Sequence, residues 1–238
     1  MKIALIGYGA MGKLIEHLAV EKGHEIATVI DEADAKRTPA EIATKLDACD
    51  VAIDFTTALA VRRNVEACLA SHIPLVEGTT GWNEDIDTIR GMVTQANGAM
   101  VYGANFSIGV NLFYRIAGFA AELFAKFNEY ETFIEEQHHS RKLDAPSGTA
   151  LKIEEIISSK LFGEDADAGV RVPIAATRAG SIPGTHRVGF DGPADQVLLE
   201  HTARSRDGFA FGAIMAAEWI VGKKGFHEFP EIIREIAL

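Results

Sequence analysis

The chain has 238 residues, 47% of them hydrophobic and 24% charged, with a formal charge of −11. That balance reads as a water-soluble globular protein of one large or two small domains, and it excludes a disordered chain or one that needs a metal or disulfide staple to fold. The acidic excess argues against nucleic acid as the main partner, and no stretch approaches the roughly 20 uninterrupted apolar residues of a membrane span. Cys49 and Cys68 form no paired framework and read as small buried hydrophobes in a reducing compartment. The N-terminal run MKIALIG lacks the apolar stretch of a signal peptide, so a cytoplasmic location is expected.

From the N-terminus, Lys2–Ile6 and Glu25–Ile30 read as strands flanking a helix over Met11–Lys22. Val51–Phe55 predicts a third strand and Leu59–Ala70 a helix, in which Val61, Val65, Cys68 and Leu69 recur on one face of a 3.6-residue period. A strand at Ile73–Val76, a helix over Glu84–Ala96 and a strand at Ala99–Tyr102 follow. Strands alternating with helical crossovers predict a parallel sheet covered on both faces, and right-handed crossovers make it doubly wound.

Beyond about residue 107 the rhythm changes. Gly109–Phe127 predicts a helix carrying Leu112, Phe113, Ile116, Ala120, Leu123, Phe124 and Phe127, a stripe wide enough for burial on more than one side. A strand at Tyr130–Glu136, a helix over Thr149–Leu161 and strands at Val172–Arg178, Thr185–Phe190 and Gln196–Ala203 then predict an α+β domain with an open, mostly antiparallel or mixed sheet. A last apolar helix, Phe209–Val221, is expected to pack back on the first domain. The expected division is 1–107 with 207–238 for the first domain and 108–206 for the second.

Gly7-Tyr8-Gly9-Ala10-Met11-Gly12 is a GxGxxG turn between the first strand and the first helix, the setting in which such a turn holds a dinucleotide. Gly7 permits the tight turn, Gly9 a close approach to a pyrophosphate, and Gly12 close helix–strand packing, while the helix N-terminus favours the anion. Asp31 ends the second strand, where a carboxylate can accept hydrogen bonds from ribose hydroxyls. Asp31 and Glu32 should repel a 2′-phosphate, which leans the choice between NADH and NADPH toward NADH. Lys36 and Arg37 lie just beyond and could swing back toward a phosphate, so both cofactors stay open. The fold class that follows is α/β, a Rossmann-type doubly wound parallel sheet with an inserted α+β domain. Gly78-Thr79-Thr80-Gly81 and Gly103-Ala104-Asn105-Phe106-Ser107 follow strands at the ligand-binding edge of that sheet and could close over a nicotinamide, although either loop alone is more often a plain connection.

The densest chemistry lies between Glu136 and Ala150, where a strand passes into a helix. Ser147 or Thr149 can cap that helix, and the N–H groups of Ser147, Gly148 and Thr149 can meet an anion. His138, His139, Arg141 and Lys142 bring positive charge and a titratable proton donor. A metal pair at His138-His139 is disfavoured, because neighbours on extended chain point oppositely and no third ligand is evident; no metal is expected. A serine hydrolase would need the GxSxG turn that Ser147 lacks. A solvated basic loop before a capped helix is the plain alternative.

The run EEQHHSRKLDAPSGTA closely resembles the signature of the bacterial 4-hydroxy-tetrahydrodipicolinate reductase (dihydrodipicolinate reductase) family, which serves the diaminopimelate route to lysine. GYGAMG, IDFT at Ile53–Thr56, GTTGW at Gly78–Trp82, ANFSIGVN at Ala104–Asn111 and RAGSIPGTH at Arg178–His186 are similar to further family motifs, in the family's order. The likeness covers nearly the whole chain. It implies NAD(P)H-dependent reduction of a small cyclic dicarboxylate, 4-hydroxy-tetrahydrodipicolinate, with loss of water. It implies a dinucleotide on Gly7–Gly12 and Asp31, with Gly78, Thr79, Thr80, Gly103, Ala104, Asn105 and Phe106 near the nicotinamide. His138 matches the family's catalytic acid/base and Lys142 its proton donor. His139, Ser147, Gly148 and Thr149 match substrate-binding positions, the last three for a carboxylate, and Arg206 resembles a late family arginine near the substrate. A homotetramer joined through the second domain's sheet is implied as well. Closure of the first domain on the second, hinged near residues 106–108 and 206–208, is expected to exclude water from the reacting pair.

Two departures stand out. Glu32 occupies a position that is basic in many members, which weakens the expectation of NADPH, and the stretch from Asp31 to Asp50 is short. Another two-domain amino-acid dehydrogenase would share the glycine turn without needing the HHSRK and DAPSGT cluster. A dinucleotide-sensing module would tolerate loss of His138 and Lys142, and both are present.

Overall fold

A computed structural model describes residues 1–163 and 171–237. In chain order the elements begin β1 (Lys2–Ile6), α1 (Ala10–Glu21), β2 (Glu25–Ile30), α2 (Pro39–Leu46), β3 (Val51–Asp54) and α3 (Ala58–Ala70). They continue β4 (Leu75–Glu77), α4 (Ile86–Gln95), β5 (Ala99–Tyr102), α5 (Ile108–Phe124), β6 (Glu131–His138) and α6 (Gly148–Phe162). The last are β7 (Ile174–Arg178), β8 (Thr185–Asp191), β9 (Gln196–Thr202), α7 (Asp207–Ile220), β10 (Gly225–Glu228) and α8 (Phe229–Ile236). The chain divides into two compact units, Met1–Ile108 with Asp207–Leu238, and Gly109–Arg206.

The first unit is built on six parallel strands in the order β10-β5-β4-β3-β1-β2. Side chains of a strand alternate between faces, and β1 shows the consequence. Ile3 and Leu5 join a core with Ile15 and Leu18 of α1, Ala213 and Ile214 of α7, and Phe229 of α8. Ala4 and Ile6 join an opposite core with Ile42 of α2, Val61 and Val65 of α3, and Ile89 of α4. Both faces are therefore dry, which is why these strands read as continuous apolar runs. Cys49 and Cys68 are free thiols buried in the second of these cores. The α/β doubly wound class expected from the sequence is the one observed.

The second unit has a mixed four-stranded sheet, β7-β6-β8-β9, in which β6 pairs parallel with β7 and antiparallel with β8. Phe113 and Ala117 of α5, Ile153 and Ile157 of α6, Ile134 of β6 and Val188 and Phe190 of β8 form its core. The Phe124 and Phe190 rings stack at 4.2 Å.

Three elements escaped the sequence reading: α2, β10 and α8. The first and last are only two turns long, too short to establish a helical period. A correction applies to α5. Its wide stripe predicted burial on more than one side, yet Leu112, Ile116, Phe119 and Leu123 stay exposed, so within one chain the helix buries a single face through Phe113, Ala117 and Ala121. No helix among the described residues is long and apolar enough to cross a membrane.

Candidate active site

The glycine turn of the first unit has the shape a dinucleotide needs. Gly7 sits at φ +90°, where a side chain is strained, and a Cβ there would strike the Phe55 carbonyl oxygen at 2.5 Å. A Cβ on Gly12 would collide with the Gly7 carbonyl oxygen, whereas one on Gly9 would meet nothing within 4 Å. The turn is thus closed on its protein side and open on its outer side. Gly9 caps α1 without a side-chain hydrogen bond, so the first-turn N–H groups of Ala10, Met11 and Gly12 remain available to an anion. These features fit a pyrophosphate.

Asp31 is exposed, and its Oδ1 accepts the Ala33 N–H at 2.9 Å, capping the short 3-10 turn Glu32–Asp34. Arg37 does not lie loose beyond it. Its Nε is 2.5 Å from Oδ1 of buried Asp34, which Lys45 also contacts at 2.6 Å. Hydrogen bonds from Lys45 and Arg37 hold the Asp34 carboxyl below its usual range despite burial. Lys36 is exposed.

At the carboxyl ends of β3 and β4, Thr79 is buried and fully employed. Its N–H donates to Glu77 at 2.7 Å, its hydroxyl oxygen accepts the Thr56 N–H at 3.0 Å, and its carbonyl accepts from Trp82 at 2.7 Å. Thr80 is exposed. Phe106 is buried between Phe55 and Phe229, with ring centroids at 6.2 and 4.6 Å, so only its backbone is on offer to a ligand. A Cβ on Gly103 would press on Phe229 at 3.0 Å, and Asn105 accepts the Ser107 N–H at 2.8 Å.

In the second unit the strand period does the assembly. Ile134, Glu136 and His138 alternate onto the buried face of β6. His186 of β8 lies directly opposite Glu136, and Arg178 of β7 pairs with His138. Apolar core at one end of the face thereby gives way to a charged cluster at the other. Glu136 is its hub. Its Oε1 receives Arg178 Nη2 at 2.7 Å and the Ser147 N–H at 2.9 Å. Its Oε2 lies 3.3 Å from His138 Nδ1 and 3.7 Å from His186 Nε2, close contacts without hydrogen-bond geometry that become ion pairs only when an imidazole is protonated. Arg178 also grips the Asp144 carbonyl at 2.5 Å, and Lys142 pairs with the Asp144 carboxylate at 2.8 Å.

Electrostatics follow from this packing. Burial alone would raise the Glu136 carboxyl, but hydrogen bonds from Ser147 and Arg178 outweigh it and hold the group below its usual value. Burial lowers His138; Glu136 opposes that shift, while Lys142 and Arg178 add to it. Burial also takes His186 down to about 4, so it is neutral near pH 7. Gly184 has φ +147°, and a Cβ there would come within 3.2 Å of His138 Nε2; glycine keeps that ring edge clear.

Ser147 is the helix cap, one of the two candidates the sequence offered, but its N–H is not left for an anion. Its N–H is spent on Glu136 and its hydroxyl caps α6 by accepting the Ala150 N–H at 3.1 Å, with His186 Nε2 3.3 Å away. The anion-binding donors left at this helix start are the N–H groups of Gly148 and Thr149. His139 is half-buried and joins no ion pair of the Glu136 cluster; its Nδ1 has no hydrogen-bond partner. Arg206 is exposed at the end of the unit.

Glu136, His138 and His186 present ligand atoms within 4.8 Å of one another. A cation there would compete with the Arg178 guanidinium already on the carboxylate, so the set reads as a carboxylate paired with Arg178 beside two imidazoles. Sequence reasoning passed over Glu136, Arg178 and His186 as site residues. The available signal was the period-2 pattern, which puts an acid and two histidines at core-facing positions.

Residues 1–106 match the family model described as dihydrodipicolinate reductase, N-terminus, and residues 109–233 match the one described as dihydrodipicolinate reductase, C-terminus. The 4-hydroxy-tetrahydrodipicolinate reductase of Christiangramia forsetii is 37% identical over 242 residues, covering 99% of each chain. That of Archaeoglobus fulgidus is 34% identical over 261 residues, covering 98% of this chain and all of its own. A dipicolinate-bound dihydrodipicolinate reductase from Paenisporosarcina sp. TG-14 shares the fold with a TM-score of 0.79 at 23% identity, over 98% of this chain and 99% of that one.

Proposed function

This chain belongs to the dihydrodipicolinate reductase family, and from that premise we infer how its two units divide the work. The activity is that of a 4-hydroxy-tetrahydrodipicolinate reductase, an NAD(P)H-dependent oxidoreductase of lysine and diaminopimelate biosynthesis. We assign the dinucleotide to the first unit, on Gly7–Gly12 and Asp31, with Gly78–Thr80 and Gly103–Phe106 flanking the nicotinamide. We assign the dicarboxylate to the second, with His138, His139, Lys142, Gly148 and Thr149 around it and Arg206 as a further contact.

The Glu136-centred cluster carries this reading. Loss of water from the hydroxylated substrate leaves a conjugated ring system that is then reduced. NAD(P)H supplies the hydride when bound; the balancing proton and the neutralisation of the carboxylates fall to the protein. The N–H groups of Gly148 and Thr149 and the dipole of α6 hold one carboxylate. Ser147 serves indirectly, by fixing α6 to Glu136. His138 is lowered and so mostly neutral near pH 7, which leaves the Lys142 ammonium as the proton source and His138 as its hydrogen-bonding partner at the ring. No step calls for a metal.

Asp31 and Glu32 at the ribose end, together with the capture of Arg37 by Asp34, support a preference for NADH. The exposed apolar face of α5 supports a homotetramer, and the reaction class supports a cytoplasmic setting. Steady-state oxidation of NADH and NADPH with freshly generated 4-hydroxy-tetrahydrodipicolinate tests the assignment. Turnover with both, and a higher kcat/KM for NADH, is expected; no turnover with either would overturn the reading.

A further inference from the structure

The first unit contains a pair of buried carboxyls that the reaction does not use. Asp54 ends β3, Glu77 ends β4, and the two are lateral partners in the parallel sheet. Both side chains are fully buried. Each has one oxygen satisfied: Asn64 Nδ2 donates to Asp54 Oδ2 at 2.6 Å, and the Thr79 N–H donates to Glu77 Oε1 at 2.7 Å. The other two oxygens, Asp54 Oδ1 and Glu77 Oε2, find no donor among the described residues. Two adjacent buried carboxylates cannot both stay charged without a large desolvation and repulsion penalty. A proton held between the orphaned oxygens satisfies both at once.

We propose that Asp54 and Glu77 share one proton and serve as a positioning pair for the loops that flank the nicotinamide. Glu77 sets the Thr79 N–H, and Thr79 in turn accepts the Thr56 N–H at 3.0 Å, so the pair ties the Phe55-Thr56 turn to the Gly78-Thr79-Thr80 loop. The tie extends further. Asn64 is oriented by Arg63 Nε and Nη2 at 3.1 and 3.0 Å, and Arg63 Nη1 reaches the Ala35 carbonyl at 2.5 Å, just past the Asp31 turn. Both ends of the assigned dinucleotide site thus hang on one hydrogen-bonded line.

The groups facing the pair favour the neutral form. From α3 come Asn64 and the Cys68 thiol, which burial pushes up so that it stays uncharged; from the loops come Thr56 and Thr79. Tyr102 lies beside Glu77 on β5, with its hydroxyl turned to Glu228. Arg63 is the one cation on this line, and it stands behind Asn64. Burial raises both carboxyls above the usual range, in keeping with a retained proton.

The inference rests on placing the dinucleotide in this unit, and its test needs no substrate turnover. Infrared spectra of the full chain at neutral pH should show the carbonyl stretch of a protonated carboxylic acid, absent in Glu77→Gln. In NADH fluorescence titrations Glu77→Gln should bind within about twofold of the parent, because its amide can donate to Asp54 and accept from Thr79. Glu77→Leu, which keeps neither bond, should bind roughly tenfold more weakly. If that variant fails to fold, pH decides. The parent's NADH affinity should fall as pH rises far enough to remove the shared proton, while that of Glu77→Gln stays flat. Absence of an acid band that depends on Glu77, unchanged binding by a folded Glu77→Leu, or the same pH dependence in parent and Glu77→Gln would each sink the proposal. Failure of reductase turnover would leave all three readouts intact.

Discussion

His138 faces opposing charges, and their balance makes its behaviour testable. Burial, Lys142 and Arg178 disfavour the imidazolium, whereas Glu136 favours it, and the net shift is downward. In the free enzyme the imidazole is therefore protonated only below its ordinary range, and the acid limb of kcat/KM should lie there. A bound dicarboxylate adds negative charge, so the limb in kcat should move up. Glu136→Gln removes the larger of the two favourable charges, leaving Asp144, and should carry the kcat/KM limb still lower. Lys142→Ala and His138→Ala should each cut turnover by roughly 10²-fold or more while NADH still binds, since both belong to the second unit. Loss of NADH binding in either variant would show that these side chains hold the cofactor rather than move a proton.

Elements built on long, strongly periodic runs were plain in the sequence; short ones and polar intrusions were not. Short strands were plain too where they are mostly apolar and end at clear turns, as β1, β2 and β5 do in matching their predicted spans. The two-turn helix α2 was announced only by its Thr38 cap, Pro39 and Glu41, a capping box that lacks a long apolar stripe behind it. β10 is an edge strand of four residues, Gly-Phe-His-Glu, with no alternation to betray it. Glu77 and Glu136 sit at buried strand positions that pattern reasoning fills with apolar residues, so their partners had to be seen before their roles could be. Gly212 is a comparable case within α7. Glycine in a helix interior costs about 1 kcal/mol relative to alanine, so propensity alone favours Gly212→Ala. A Cβ there, however, would drive into the Phe106 carbonyl oxygen and touch the Phe229 ring at 3.0 Å. Backbone cannot yield as a flexible side chain does, and overpacking of this kind costs typically 1–3 kcal/mol or more. The clash should win. Gly212→Ala is expected to lower the thermal midpoint, and an unchanged or higher midpoint would mean that α7 can shift at little cost.

At the scale of the molecule, charge and apolar surface point in different directions. A formal charge of −11 keeps copies of the chain apart, yet Ile116, Phe119 and Leu123 of α5 are 54%, 63% and 46% exposed, with Val197 and Leu198 of β9 also uncovered. Isolated exposed apolar side chains are ordinary; a row of them along one helix face is the kind of surface that association covers. Burial contributes roughly 25 cal/mol per Å² of apolar area, and a symmetric assembly buries the same row in every subunit, so the summed gain can exceed the repulsion of like-charged subunits, which salt screens. The expected state is a homotetramer, read as four times the chain mass by light scattering at neutral pH. Paired Ile116→Glu and Phe119→Glu changes place charge on the row without touching the Glu136 cluster, and should shift the mass toward smaller species while NADH binding persists. A monomer mass for the parent chain across the micromolar range would overturn the expectation and leave the exposed row of α5 a property of the single chain.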